Sequence, residues 1–356
     1  MPAAVVTGSG GLVGSEAVRH FVEAGFDVIG LDNDSRATFF GADASTAPVT
    51  QRLLERYPHN FRWLDVDVRD GDGVSRAFSR AGAVEIIVHA AAQPSHDWAA
   101  RDPLADFHIN ASGTLNLLEA ARTYARDATF IQCSTSKVYG DMPNRLPLVA
   151  HPTRLDLEPD HPYHHGIDAK MSIDQSLHSL FGVSKAAGDL LAQEYGRYFG
   201  MRTGCFRPGC LTGSAHAGTR DHGFLSYLMR CTVRQEPYTI FGHGGLQVRD
   251  NLHGADLVAA FHAFHLSPRS GAVYNIGAGR ATSCSILEAI ELCEEISGRC
   301  LKWKLDPTAR IGDHKWWISD IRPFRADYPS WKPGFGLRDM LHEIHDANAE
   351  RWLARA

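Results

Sequence analysis

Seven residues near the start of the chain, Gly8-Ser9-Gly10-Gly11-Leu12-Val13-Gly14, constrain the fold more than any other feature. They follow directly on an apolar run, Ala3 to Thr7, and lead into residues with amphipathic helical spacing. A glycine at 8 permits a tight turn between strand and helix. Gly11 lets a ligand approach the main chain, and Gly14 lets the helix pack on the strand. In a strand–turn–helix context this spacing makes a cradle for the pyrophosphate of a dinucleotide, held by amides at the helix start around Leu12 and Val13. A second apolar run, Asp27 to Asp32, ends on a carboxylate with Asn33 beside it. A carboxylate there accepts from the adenosine ribose hydroxyls and repels a 2′-phosphate, so NAD is expected over NADP.

Further apolar runs follow at Phe61 to Asp67, Glu85 to Ala91, Thr129 to Ser134 and Thr203 to Arg207, separated by helical patterns. The clearest helical pattern is Leu104 to Ala125, where Leu104, Phe107, Ala111, Leu115 and Leu118 recur on one face. Strand–helix alternation with short connections predicts an α/β fold with a doubly wound parallel sheet, and a smaller C-terminal lobe for substrate. The expected division is residues 1–207 for the dinucleotide domain, with sheet strands also from about 246–277, and 208–356 mainly for the lobe. Residues 36–60 and 146–177 read as insertions, the second just ahead of the Gly182 to Phe199 helix and so over the active site.

Composition narrows the partners. The net charge is −5 with no basic run, which argues against nucleic acid or an anionic membrane surface. No apolar stretch approaches the roughly 20 residues of a membrane span. With the first run beginning at Ala3, no leader peptide is expected. Seven cysteines without metal-type spacing read as free thiols in a reducing compartment, so the cytoplasm is expected and no metal.

The segment Phe181-Gly182-Val183-Ser184-Lys185, together with the glycine loop, resembles the extended short-chain dehydrogenase/reductase family, whose catalytic signature is Tyr-x-x-x-Lys. The resemblance implies a Rossmann domain and further roles. Asp67 and Val68 match the adenine contact, His89-Ala90-Ala91-Ala92 the strand end beneath the cofactor, and Asn110 with Gly113-Thr114 the brace between sheet and active-site helix. The strand through Cys133 and Ser134 supplies the catalytic Ser or Thr at Thr135. Nucleotide-sugar dehydratases carry Asp-Glu next; here Ser136-Lys137 stand there, which removes the acid/base pair for elimination. The string through Lys137-Val138-Tyr139-Gly140-Asp141 looks most like the CDP-paratose (tyvelose) 2-epimerases. Arg249 in Gln247-Val248-Arg249-Asp250, and Arg310 with Asp313, resemble the two clamps on a CDP- or UDP-linked sugar. Guanidinium suits them because its planar fork binds oxygen pairs. Gln93, Ser95 and His96 follow the fourth strand as candidate sugar contacts. Cys210 stands where 4-epimerases have an asparagine. The resemblance also implies a homodimer through the two helices.

Phe181 departs from that pattern. An epimerase of this type oxidises a hydroxyl and reduces the ketone from the other face, so a proton must leave with the hydride. The family tyrosine takes it, with its pKa lowered by the nearby lysine and nicotinamide. Phenylalanine has no oxygen for the task. Three readings stay open. Another group takes the proton: Thr135 through Lys185 and water, or Tyr163, His164, His165 or His178 of the inserted segment. The chemistry has changed, or the protein binds without turnover. Tyr328 to Lys332 repeats the Tyr-x-x-x-Lys spacing, but Pro329 breaks the helix it would need. Trp316 and Trp317 are expected in the lobe core.

Overall fold

The computed structural model describes residues 1–354 apart from 217, 220–222, 310 and 311. The chain divides into two compact units. The first comprises residues 1–138, 180–207 and 257–274; the second comprises 139–179, 208–256 and 275–356.

A seven-stranded sheet organises the first unit: β1 (Ala3–Thr7), β2 (Asp27–Asp32), β3 (Phe61–Asp65), β4 (Val84–His89), β5 (Thr129–Cys133), β6 (Arg202–Pro208) and β7 (Ala272–Ile276), in the order β7-β6-β5-β4-β1-β2-β3. The pairs from β3 to β6 are parallel. Every residue of β1 and β5 is buried, as expected of strands covered on both faces. The direction of winding reverses between β1 and β4. Thr7 and His89 are register partners there, at the strand ends where doubly wound sheets bind ligands.

Helix α1 (Leu12–Glu23) follows the glycine loop. Residues 36–60, expected as an insertion, form α2 (Ser35–Phe40) and α3 (Ala47–Arg56). Asp34 ties this segment down by accepting from the Thr46 amide at 2.6 Å and the Ser45 hydroxyl at 2.6 Å. Next come α4 (Gly71–Ser79), capped by Asp70, and α5 (His96–Arg101), capped by Ser95. The helix expected from Leu104 to Ala125 runs without a break as α6 (Pro103–Phe107), a π-helical turn His108–Ser112, and α7 (Gly113–Tyr124). The Thr114 hydroxyl donates to the Asn110 carbonyl at 2.7 Å, so a side chain occupies a position in the helical ladder. Helix α8 (Leu180–Phe199) packs closely on that turn. A Cβ at Gly188 would stand 2.8 Å from the Asn110 carbonyl oxygen.

In the second unit, α9 (Phe224–Arg234), α10 (Gly254–Leu266, which continues into the first unit), α11 (Ile286–Ser297), α12 (Arg322–Asp327) and α13 (Leu337–Ala354) appear in order. Its core joins Leu228 and Met229 of α9, Ala289 and Ile290 of α11, and Leu341 and Ile344 of α13. Trp316 and Trp317 are fully buried here, and Trp317 stacks on Tyr139. Residues 139–179 also belong to this unit, although the sequence reading placed them in the first. The Arg280 guanidinium accounts for part of this, by pairing with Asp156 and donating to the His164 carbonyl. Tyr328 follows the end of α12, so its Tyr-x-x-x-Lys spacing is not helical.

Candidate active site

The glycine loop is built to steric limits. Gly8 has φ +66°, and a Cβ on it would lie 2.9 Å from the Ala91 backbone. A Cβ on Gly14 would lie 2.0 Å from the Gly8 carbonyl oxygen, so a side chain there cannot coexist with the turn. Gly11 is the N-cap of α1 with no side-chain cap hydrogen bond, and the first turn, with Leu12 and Val13, carries no acidic residue. Main-chain amides at a helix start without a side-chain cap suit a phosphate group.

Asp32 does more than wait for a ribose. One carboxylate oxygen accepts from the Gly10 amide at 2.8 Å, and the other from the Asp34 amide at 2.8 Å. It therefore fixes the loop's shape from the end of β2. Asn33 donates to Asp67 at 2.9 Å, and Arg69 also pairs with Asp67. Partial burial would raise the Asp67 pKa, but the Arg69 hydrogen bonds and charge outweigh it and hold the carboxyl below its ordinary range. Val68 is buried, with its methyl placed where a Cβ on Gly113 would stand 2.7 Å away. Ala90, Ala91 and Ala92 are partly exposed beside the loop.

Beneath the strand ends runs a directional hydrogen-bond chain. The Ala91 amide donates to the Thr7 hydroxyl, which lies 2.8 Å from His89 Nδ1. His89 Nε2 lies 3.0 Å from the Thr114 hydroxyl, whose hydrogen goes to the Asn110 carbonyl. One neutral tautomer satisfies every member: Thr7 donates to Nδ1, and Nε2–H donates to Thr114. Burial, with the Lys185 charge added, lowers the His89 pKa to about 3. The Asn110 amide reaches the Gln93 carbonyl, Asp106 and the Ser184 hydroxyl, each at 3.0 Å, and so braces the loop after β4, α6 and α8 together. Burial also keeps the Asp106 carboxyl above its ordinary range.

Gln93 is corrected by this network. It is fully buried and its amide is consumed by Ser95 and Asp106, so it braces the loop and does not face a sugar. Ser95 is likewise buried and serves as the α5 cap.

Lys185 is buried, and its ammonium donates to the Cys133 carbonyl at 2.8 Å. Desolvation lowers its pKa, against the attraction of neighbouring acidic groups including Asp189 and Asp106. One helical turn on, Asp189 accepts from Ser134 at 2.5 Å and from Arg207 through Nη2 at 2.7 Å and Nε at 2.9 Å. The sequence reading missed this buried pair. Its only signal was spacing, since Asp189 lies four residues after Lys185 and Arg207 near the end of a strand. Thr135 is partly exposed, accepts from the Lys137 amide at 3.2 Å, and keeps its hydroxyl hydrogen to donate. Phe181 is buried, and its ring meets the His96 imidazole edge-to-face with centres 5.1 Å apart.

In the second unit, Arg249 is buried, with one arm on the Val248 carbonyl at 2.8 Å and the other on Asp313 at 2.7 Å. Arg310 lies outside the described residues. Asp250 is wholly buried, and burial pushes its carboxyl up to about 7. Cβ atoms on Gly209 or Gly277 would collide with it. His253 pairs with Glu343 at 2.9 Å and stacks on Phe335, while Asp256 accepts from the Gly334 and Phe335 amides. In the inserted segment, His164 Nδ1 lies on the Leu157 carbonyl and His178 Nδ1 on the Ser176 carbonyl. Desolvation raises the Tyr163 pKa, opposite to what a base needs near neutral pH. Cys210 is partly exposed on a short strand.

A model of the NAD dependent epimerase/dehydratase family matches residues 4–277. The chain is 30% identical over 349 residues to the CDP-paratose 2-epimerase of Salmonella typhi, a match that covers 96% of this chain and 98% of that one. It is 28% identical over 311 residues to the UDP-glucose 4-epimerase of Homo sapiens, covering 85% and 84% respectively. Among solved structures, it resembles a tyrosine-to-phenylalanine mutant of UDP-glucuronic acid 4-epimerase from Bacillus cereus, in complex with UDP-4-deoxy-4-fluoro-glucuronic acid and NAD. That likeness has TM-score 0.77 at 23% identity, covers 98% of this chain and 99% of that one, and shows a shared fold.

Proposed function

The chain belongs to the NAD-dependent epimerase/dehydratase family, and from that premise we propose that it interconverts two epimers of a CDP- or UDP-linked sugar, as CDP-paratose 2-epimerases do. The observation that carries this reading is the end-to-end similarity to the Salmonella typhi enzyme, which extends through both units. Ser136 and Lys137 support it, because neither supplies the carboxylic acid that expulsion of water requires.

The cofactor is NAD, and the first unit fits it: the absence of side chains at Gly8 and Gly14 permits the tight turn, and Gly11 begins α1 with no side-chain cap hydrogen bond, which leaves the helix start to a pyrophosphate. Leu12 and Val13 lie at the amide end of α1, Asp32 and Asn33 take the adenosine ribose, Asp67 and Val68 the adenine, and Ala90, Ala91 and Ala92 line the path. When bound, NAD accepts a hydride from a sugar carbon and returns it. Lys185 holds the nicotinamide ribose through an ammonium oriented by Cys133. Thr135 donates to the reacting oxygen. Arg249, freed from Asp313, grips the diphosphate with Arg310, and Asp313 turns to the nucleotide ribose.

The test is incubation of the purified protein and NAD with CDP-, UDP-, GDP- and dTDP-sugars, followed by NMR and nicotinamide absorbance. A new epimer without accumulating NADH is the expected result. Binding without product across all sugars overturns it. Phe181 favours one other reading, a protein that binds NAD and sugar nucleotide without turnover; its mark is sugar-nucleotide affinity indifferent to Lys185→Met.

A homodimer is supported by exposed apolar side chains on α7 and α8, among them Leu115, Val183, Leu190 and Tyr198. Light scattering giving twice the chain mass is expected. Among the described residues no helix is long and apolar enough to cross a membrane. The free thiols suit the cytoplasm.

A further inference from the structure

We propose that Ser134 is a positioning residue for the reaction: tethered to Asp189, it sets the place of the Thr135 hydroxyl relative to the Lys185 ammonium. This rests on the epimerase reading above, in which Thr135 donates to the reacting oxygen and Lys185 holds the nicotinamide ribose.

The register of β5 on β6 ends at Cys133 and Phe206, so Thr135 lies two residues beyond the paired strand. Strand β5 neighbours β4, and β4 neighbours β1, all parallel, so the chain reaches Thr135 at the same end of the sheet as the glycine loop. A hydroxyl on an unpaired strand exit keeps a productive position only if the main chain before it is held.

Ser134 is held twice. Its amide donates to the Phe206 carbonyl of β6 at 2.7 Å, and its hydroxyl donates to Asp189 Oδ2 at 2.5 Å. Asp189 is itself fixed. Arg207 Nη2 and Gln193 Nε2 donate to its Oδ1 at 2.7 and 2.6 Å, and Arg207 Nε joins Ser134 on Oδ2 at 2.9 Å. Two donors on each oxygen fill the acceptor positions of a carboxylate, so Asp189 is a rigid anchor for the serine.

Lys185 and Asp189 are four residues apart on α8 and share a face. Lys185 donates to the Cys133 carbonyl at 2.8 Å, while Asp189 accepts from Ser134. One helix face therefore grips two successive residues, and the next residue is Thr135. Cys133, Ser134, Lys185 and Asp189 are all buried, whereas Thr135 is partly exposed. The clasp is enclosed and the residue it presents is accessible. Alanine at 134 would keep the main-chain bond to β6 and the Asp189–Arg207 pair, and remove the hydroxyl tether alone.

The test is a double-mutant cycle of Ser134→Ala and Thr135→Ala, with Ser134→Thr as the variant that keeps the hydroxyl. Measured are kcat and KM on the sugar nucleotide that the wild type converts, NAD affinity by calorimetry, thermal midpoint, and hydrogen exchange at residues 135–138. A misplacement of about 1 Å costs about 10²-fold, so Ser134→Ala should lose about 10–100-fold in kcat while KM and NAD affinity stay within about threefold. Exchange at residues 135–138 should quicken. Thr135→Ala should lose about 10²–10³-fold, which long incubation and NMR still measure. Adding Ser134→Ala to Thr135→Ala should then cost nothing further, because the serine acts through the threonine. Ser134→Thr should turn over within about tenfold of wild type. Equal losses from Ser134→Ala with and without Thr135→Ala, or no loss from Ser134→Ala alone, overturn the positioning role while leaving the epimerase reading intact. So does a loss matched by lost NAD affinity and a much lower thermal midpoint, which marks a residue of structure alone. A wild-type protein that makes no epimer refutes the epimerase reading, and the role of Ser134 with it.

Discussion

Replacing His89 with glutamine should make the protein less stable at neutral pH and remove part of its sensitivity to acid. In the native state the neutral ring satisfies Thr7 and Thr114, and burial lowers its pKa from 6.5 to about 3. The folded pKa is depressed for a basic group, so the unfolded chain binds the extra proton first. Stability from this residue is therefore complete above pH 6.5 and is lost as pH falls toward 3. Between pH 7 and 4.5 the linkage removes roughly 2.5 kcal/mol, since each unit within the window is worth about 1.4 kcal/mol. A glutamine amide can still donate to Thr114 but leaves the Thr7 hydroxyl without its acceptor, at about 1–3 kcal/mol. His89→Gln should thus be less stable by that amount at pH 7, and level with or above wild type at pH 4.5. Urea unfolding followed by far-UV circular dichroism, at both pH values and for both proteins, measures the double difference. Parallel behaviour, with the same deficit at pH 7 and pH 4.5, would refute the buried neutral tautomer.

Gly14→Ala puts a methyl 2.0 Å from the Gly8 carbonyl, so the loop must open, and NAD affinity by calorimetry should fall at least a hundredfold. Lys185→Met removes a buried charge and, on the proposed role of Lys185, one charge-assisted hydrogen bond to the cofactor, worth about 1.5–3 kcal/mol. NAD affinity should weaken by about 10–100-fold and turnover fall further, while an unchanged turnover would contradict the assignment. Arg207→Met leaves Asp189 buried without its cation, which costs about 3–5 kcal/mol. The expected consequence is a clear drop in urea midpoint, and an unaltered midpoint would show the pair to be dispensable.

Much of the first unit was legible because its signals are local. The glycine spacing, the short apolar runs and the carboxylate at Asp32 each follow from strand and turn geometry within a few residues. The π turn at Asn110 was not legible, because helical periodicity is blind to a threonine hydroxyl taking a carbonyl from the ladder. Gln93 misled for a related reason. A polar residue after a strand reads as solvent-facing until its partners Ser95 and Asp106 are seen. The assignment of residues 139–179 to the second unit depends on pairs such as Arg280 with Asp156, separated by more than a hundred residues. The contact of His96 with Phe181 is of the same kind. Both residues stood out in the sequence, His96 for its place after β4 and Phe181 for its missing hydroxyl, but only the fold sets one ring against the other.

The central claim is epimerisation by transient oxidation, and isotope retention tests it most directly. The converted sugar nucleotide is turned over to equilibrium in D₂O and the product examined by NMR at the inverted carbon. Hydride that leaves and returns within one turnover keeps its hydrogen, so protium without solvent deuterium is the expected result. Deuterium at that carbon would show inversion by deprotonation and reprotonation, and would contradict the account.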